Sequence, residues 1–235
     1  KAEKTSKGWS ISGNKNLVLG GDIADYIIIP ARVSGKINDK NGIRFFIVNK
    51  NTKGLRKRIY KTVDGFSSTD LSFNNLEIND CDFLGSDLNI EVFDKYEEII
   101  DLATLSICSE ALGIMDMMYN KTLDYIKTRE QFGKPIGSFQ VIQHRAVEMF
   151  MKTEEMRSIT YMSNLHYNHK ASIRKKNISA AKIYMGTSGI ELGQEAIQLH
   201  GGMGIADEME ISHFFKRLTI LDVMFGNSDH HLSRF

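Results

Sequence analysis

Six residues in the second half of this 235-residue sequence are of types that could contact a nucleotide. Arg129 is a permanent cation whose fork of donors matches a pyrophosphate. Phe132 offers an aromatic face to a ring system, and Gly133 behind it is expected to end a helix. Gln140 can hydrogen-bond through both atoms of its amide. Gln198 adds a polar group beside Gly201 and Gly202, where missing side chains let backbone approach a nucleotide closely. Plainer roles exist for four of these positions. Arg129 could cap a helix C-terminus, Phe132 could be core, and Gly201-Gly202 could be an ordinary helix stop.

Other reactive types carry less. His230 and His231 are adjacent, and neighbours on a helix point about 100° apart. No third ligand is spaced to join them, so no metal is expected. Cys81 and Cys108 sit among aliphatic residues without metal-ligand spacing, which reads as two inert thiols in a reducing, cytoplasmic setting. The eleven methionines read as adaptable core packing. Lys+Arg is 30 against 29 for Asp+Glu, so no net field would recruit nucleic acid or an acidic membrane. No apolar run is long enough to span a bilayer. The first residue is Lys1 and no signal-peptide core follows, so the chain is expected to begin inside a longer protein.

The elements that must position these residues fall into two halves. Residues 1 to about 85 read as strands. The run GWSISGNKNLVLGG alternates, with a hairpin turn expected at Gly13-Asn14, and ADYIIIPARV, GIRFFIVNK and TDLSFNNLEI follow as β-rich runs. Such closely spaced strands imply a small antiparallel barrel or sandwich. From about residue 92 the apolar period becomes helical, through Leu102, Leu105, Ile107, Leu112, Met115 and Met118, as far as about Thr128. GKPIGSF breaks the pattern, and Ser138 is the expected N-cap of a second helix carrying Val141, Ile142, Met149, Met151, Met156 and Tyr161. NHKASIRKKN is expected as a loop before a third helix over 178–200, and EISHFFKRLTILDVMF as a fourth helix ending at Gly226. The charge runs LRKRIYK and IRKKN read as solvated faces or loops. Four long helices with short connections suggest an up-and-down bundle. The expected class is α+β, with a β-domain over 1–90 and a helical bundle over 91–235.

Three stretches of the helical half resemble the acyl-CoA dehydrogenase family: TREQFGKPIGSFQVIQHR at 128–145, QLHGGMGI at 198–205, and the C-terminal HFFKRLTILDVMFGNSDHHLSRF. GWSISGNKNLVLGGDIADYIIIPAR resembles the family's flavin-facing hairpin, so the resemblance covers essentially the whole chain. The tail is most similar to small subunits of two-component enzymes of the pimeloyl-CoA dehydrogenase type. The resemblance implies the family's middle β-domain and C-terminal four-helix bundle, without its N-terminal helical domain. It implies FAD as cofactor. Arg129, Phe132, Gln140, Gln198, Gly201 and Gly202 would contact the adenosine and pyrophosphate end of that FAD, mostly across a subunit interface.

The sequence departs from the family where the reaction occurs. Desaturating an acyl thioester needs a carboxylate over the α-carbon, in a desolvated pocket that raises its pKa. The family's usual base lies before a Gly near the C-terminus, and Phe225 occupies that place before Gly226. The alternative location, ten residues before a Gly in the first bundle helix, holds Ala103. The family's Trp-x-Thr beside the flavin corresponds to Leu17-Val18-Leu19, without hydroxyl or indole. Asp101, Asp222 and Asp229 are the acids left nearby, and Asp229 reads more simply as a cap of the terminal helix. The pattern implies a heteromer, such as a heterotetramer, in which a larger subunit carries the chemistry and this chain completes its cofactor site. A homo-oligomer remains the alternative. Acyl-CoA as substrate and an electron-transfer flavoprotein as acceptor are the further implied partners. A self-sufficient dehydrogenase with an unusual carboxylate, or a non-redox acyl-CoA-binding scaffold, are the competing functions.

Overall fold

A computed structural model describes residues 1–79, 83–84 and 92–235. The first half is all strand. β1 (Ala2–Thr5), β2 (Gly8–Leu19), β5 (Leu55–Lys61) and β6 (Ser67–Asn79) form an antiparallel sheet of order β1-β2-β6-β5. β3 (Tyr26–Arg32), β4 (Ile43–Asn49) and β7 (Phe83–Leu84) form a second sheet of order β3-β4-β7. One core cluster draws on both sheets: Trp9, Ile11, Leu71 and Leu76 from the first, Ile29, Phe46 and Val48 from the second. Trp9 meets Phe46 edge-on, with centroids 5.6 Å apart, a favoured aromatic geometry.

The expected turn at Gly13-Asn14 is absent. β2 runs straight through it, and its register on β6 shifts between Ile11 and Gly13 and again between Lys15 and Val18. These irregularities bend the strand where a turn would have reversed it. LRKRIYK is the edge strand β5, with Tyr60 donating to Asp70 Oδ1 at 2.9 Å and Lys57 to the Gly21 carbonyl at 2.8 Å. Cations on an edge strand discourage pairing with other chains.

The helical half comprises α1 (Val92–Thr128), α2 (Gln140–Leu165), α3 (Ala171–Tyr184), α4 (Ile190–His200), α5 (Glu210–Val223) and the short α6 (Ser228–Arg234). Its core joins Cys108, Ala111, Met115 and Met118 of α1 to Met149 and Met156 of α2, Ala196 of α4, and Leu218 and Leu221 of α5. Met115, Met118, Met149, Met156 and Met185 are fully buried, whereas Met117, Met151, Met162 and Met203 are exposed, so packing accounts for only part of the methionine content. Surface ion pairs join the helices at their rims, such as Arg157 to Asp116 at 2.9 Å and Arg217 to Glu110 at 2.6 Å. Each such pair contributes about 0–1 kcal/mol.

Three local expectations are corrected. Ser138 does not cap α2: its hydroxyl donates to the Pro135 carbonyl within a short 3-10 turn, and Phe139 occupies the cap position without a side-chain bond. The expected loop NHKASIRKKN is largely helix, because α3 begins at Ala171 and IRKKN lies inside it. Arg and Lys are good helix formers, and Ile178 and Ala181 bury the opposite face. The third helix therefore starts earlier than residue 178, continuing through a π-helical turn (Met185–Gly189) into α4. Finally, Asn227 and not Asp229 caps α6, its side chain accepting from the His230 backbone N–H at 3.1 Å.

Internal contacts divide the chain into Lys1–Glu97 and Glu98–Phe235. The boundary expected at 90–91, and Cys81, lie outside the described residues. Cys108 is buried, which pushes its thiol pKa up to about 12. That makes it inert as a nucleophile at neutral pH.

Candidate functional site

The six candidate residues lie on the helical unit, at the ends of three of its helices. α1 stops at Thr128, and the backbone N–H of Arg129 still donates to the Tyr125 carbonyl at 2.8 Å. The next residues form a miniature hairpin, Glu130–Gln131 pairing with Lys134–Pro135. Phe132 and Gly133 make its two-residue turn, with φ of 56° and 80°. Two successive positive φ values are the signature of a type I′ turn. Gly133 thus turns a hairpin instead of ending the helix. Phe132 occupies a conformation costly for a side chain, and its ring is 93% exposed. It is not a core residue. It meets only Phe139 edge-on at 6.1 Å among the described aromatic contacts.

Arg129 is exposed, and among the described residues its guanidinium meets no acceptor. It does not serve as a helix cap. The hairpin is held against α1: the Ile136 N–H donates to the Arg129 carbonyl at 2.8 Å, and a side chain at Gly137 would lie 2.9 Å from the Ile126 carbonyl. Gln140, also exposed, opens α2 from this ledge.

The second group sits at the end of α4. Gly201 has φ 62° and donates to the Gln198 carbonyl, so it does stop the helix as its plainer role requires. A side chain at Gly201 or Gly202 would meet nothing within 4 Å. Open space at both positions fits approach by an outside group better than internal packing. Gln198 is exposed one turn earlier.

Two residues not singled out in the sequence join these groups. Tyr125 of α1 stacks on His200 of α4, with ring centroids 4.3 Å apart and planes 24° from parallel. The Tyr125 hydroxyl donates a long bond, 3.4 Å, to the His200 carbonyl. His200 immediately precedes Gly201, and Tyr125 lies one turn before Arg129. Spacing to known candidates was the only sequence signal for either.

The acids near the expected base positions are already engaged. Asp101 is fully buried, and its two oxygens take Arg174 Nε at 2.9 Å and Arg234 Nη2 at 2.5 Å. Asp222 lies 3.9 Å from the ammonium of buried Lys182 and accepts from Ser228 at 3.3 Å. Lys182 donates to the Leu221 and Asp222 carbonyls at 2.7 and 2.6 Å, closing the end of α5. Burial lowers its pKa to about 8, against the opposing pull of Asp222. Asp229 is exposed in the first turn of α6.

Phe225 has φ 55° and leads into Gly226 between α5 and α6. The Phe225 carbonyl accepts from His231 Nε2 at 3.2 Å, which leaves Nδ1 to accept from Ser179 Oγ at 3.1 Å. Burial drives the His231 pKa down to about 4, helped by the cations Arg234 and Lys182, so the ring is neutral. His231 is buried while His230 is exposed, and no cluster of three metal-ligating side chains occurs among the described residues. In the β unit, Leu17 has φ 54° and its N–H donates to Asp70 Oδ1 at 3.1 Å. Leu17 and Leu19 are part-exposed apolar side chains with no hydroxyl to offer.

Family models match both halves: the acyl-CoA dehydrogenase middle domain over residues 1–81, and the acyl-CoA dehydrogenase C-terminal domain over residues 94–234. The chain belongs to the acyl-CoA dehydrogenase family. An acyl-CoA dehydrogenase of Bacillus subtilis is 26% identical over 231 residues, covering 97% of this chain and 60% of the relative. A 3-(aryl)acrylate reductase of Clostridium sporogenes is 26% identical over 224 residues, covering 93% and 58%. The ChsE4-ChsE5 complex from Mycobacterium tuberculosis has the same fold, with a TM-score of 0.86 and 22% identity over 100% of this chain and 60% of that one. This acyl-CoA dehydrogenase family chain thus spans about three fifths of the length of these proteins. Its β-sandwich followed by a helical bundle is the family's middle and C-terminal architecture. The exposed arginine and open glycine turn are a donor set that fits the phosphates of FAD, the family's cofactor.

Proposed function

We propose that this chain is part of an FAD-linked acyl-CoA dehydrogenase complex, in which it completes a cofactor site on a partner subunit and does not itself deprotonate the thioester. The observation that carries this reading is a contrast. Arg129 is exposed and, among the described residues, meets no acceptor, while Asp101 and Asp222 are engaged by internal cations.

The redox chemistry would come from bound FAD, as acceptor of the hydride lost from the β-carbon of an acyl thioester. The residues of this chain would bind and orient its far end. Arg129 would hold the pyrophosphate and offset its charge. The Phe132 ring, standing clear of its own core, offers a face to an aromatic ring. Gly201 and Gly202 admit close backbone approach, and Gln140 and Gln198 supply amides at the edges. Nothing equivalent is supplied for the proton. Phe225 and Ala103 occupy the family's base positions and neither can accept one. The ChsE4-ChsE5 complex, named for two components, supports a heteromer as the assembly. A larger family member carrying a Glu-Gly pair fits the role of partner. Acyl-CoA is the proposed substrate and an electron-transfer flavoprotein the proposed acceptor. A cytoplasmic location fits the buried, unpaired Cys108, and no described helix is long and apolar enough to cross a membrane.

The test is FAD content and turnover of the purified chain, alone and with its co-purifying partner. The expected result is weak FAD binding and no acyl-CoA-dependent reduction of an acceptor by the chain alone, with both present in the complex. In the complex, Arg129→Ala should weaken FAD by roughly 10- to 100-fold, the value of a charged hydrogen bond. Robust turnover by the homogeneous chain would refute the proposal.

A further inference from the structure

We infer that the stacked pair Tyr125–His200 is a positioning device that holds the Arg129 hairpin and the Gly201-Gly202 turn as one dinucleotide-binding surface. The inference rests on the reading of this ledge as part of an FAD site. It adds residues that touch no cofactor but set where the binding groups stand.

The two binding groups come from chain segments about seventy residues apart, on different helices. Each hangs directly on one member of the pair. The Tyr125 carbonyl receives the Arg129 N–H at 2.8 Å, so the position of Tyr125 sets where the arginine backbone leaves α1. His200 is the last residue of α4, and Gly201 follows with no intervening freedom. The His200 side chain is fixed from three sides. Its Nδ1–H donates to the Ala196 carbonyl at 2.8 Å, because a carbonyl can only accept. Its face lies against Tyr125 at 4.3 Å. Gly204 folds the following turn back onto it, so closely that an added side chain would lie 3.1 Å from the His200 Cβ and 2.6 Å from the Ile197 carbonyl. Burial lowers the His200 pKa, which favours the neutral ring that stacks on Tyr125. The stacked rings therefore tie the end of α1 to the end of α4, and the long 3.4 Å hydroxyl-to-carbonyl contact adds little.

Rigid support of this kind raises affinity by removing motion that binding would otherwise have to freeze. The effect should appear in cofactor affinity and in the coupling of Tyr125 to Arg129, more than in global stability.

The experiment titrates FAD, followed by its fluorescence, against the full chain in its native assembly. The variants are Arg129→Ala, Tyr125→Phe, Tyr125→Leu, His200→Asn and the double variant Tyr125→Leu/Arg129→Ala. Tyr125→Phe keeps the stack and should bind within about twofold of wild type. Tyr125→Leu should weaken FAD by roughly three- to tenfold, the range for an aromatic pair. In the Tyr125→Leu background the Arg129→Ala change should cost less than in wild type, since a misplaced arginine has less to lose. His200→Asn retains a donor for Ala196 and removes the ring, so it carries the same test if Tyr125→Leu does not fold. Losses from Tyr125→Leu and Arg129→Ala that simply add, or unchanged affinity in both ring-deleting variants while Arg129→Ala weakens FAD, overturn the positioning role and leave the cofactor reading standing. No effect of Arg129→Ala overturns the cofactor reading and the positioning role with it.

Discussion

Asp101 separates a structural acid from a catalytic one, and Asp101→Asn is the perturbation that decides. The carboxylate is fully buried and each oxygen faces a different guanidinium, Arg174 from α3 and Arg234 from α6. Asparagine preserves the shape but removes the charge and turns an N–H2 donor toward one of two donors. Breaking a buried ion pair by removing one partner costs about 3–5 kcal/mol. Here the arginines retain some water contact, at 11% and 18% exposure. That contact moves the expected loss to the lower end, about 3 kcal/mol. At this chain size the loss corresponds to a fall in Tm of about 10 °C. Urea unfolding followed by helical circular dichroism is the assay, with a lowered midpoint and an unchanged slope as the expected result. Arg234→Ala should lose a smaller share, because Arg174 still answers the carboxylate, and should loosen α6 first. A Asp101→Asn chain that unfolds within 1 kcal/mol of wild type by this criterion, or that keeps its stability and loses turnover in the assembled enzyme, would refute the clamp and return Asp101 to the candidates for base.

Two buried groups give the helical unit pH signatures of the same sign, stability rising with pH, in two separate windows. The His231 pKa falls from 6.5 to about 4, so between those values the unfolded chain holds a proton that the folded chain refuses. Stability should fall by roughly 3 kcal/mol as pH drops through that window, and His231→Asn should flatten the fall. The Lys182 pKa falls from 10.5 to about 8, so the folded chain releases its proton first and stability should rise between those values. The slope is at most about 1.4 kcal/mol per pH unit, and Lys182→Met should abolish it in equilibrium unfolding run across pH 7.5–10.5. At the hairpin tip, Phe132→Asn replaces Phe-Gly by the Asn-Gly favoured in a type I′ turn. It should stabilise the fold by about 1 kcal/mol or leave it unchanged, while weakening FAD binding in the assembly. A parallel change in both would contradict the role given to the ring.

Where the sequence was legible, one local pattern decided the outcome. α1 runs to Thr128 as its apolar period required, because no Pro interrupts it and the single Gly113 is outweighed by the buried apolar face on both sides. Alternation likewise identified β2, yet Gly13-Asn14 became an irregularity inside the strand. The long partner β6 offers ladder bonds on both sides of it, and that tertiary pairing outweighs the local turn preference. IRKKN misled for the opposite reason. A solvated helical face and a loop have the same polarity, and only the buried Ile178 and Ala181 distinguish them. Tyr125 and His200 escaped notice because no short-range pattern links residues 75 positions apart. Asp101 is a candidate base in the sequence because it lies two residues from Ala103, and neither of the arginines that engage it is near it in sequence.

Unsatisfied groups are distributed unevenly over the helical unit, and the distribution bears on function. Around the turn at Phe225-Gly226 every polar group named is answered from within: Lys182 by two carbonyls, His231 by Ser179 and the Phe225 carbonyl, Asp222 by Lys182 and Ser228. That turn is anchored regardless of which side chain it carries, so a phenyl group there removes a base without loosening the frame that would hold one. At the Arg129 ledge the reverse holds. Among the described residues a cation lacks an acceptor, a phenylalanine sits at positive φ in solvent, and two glycines face open space. Folding alone would not select such a combination, because each feature costs stability or offers none. Binding would select it, since an anionic dinucleotide answers the cation, covers the ring and fills the space. The ledge is therefore the part of this chain that requires something outside the chain to account for it.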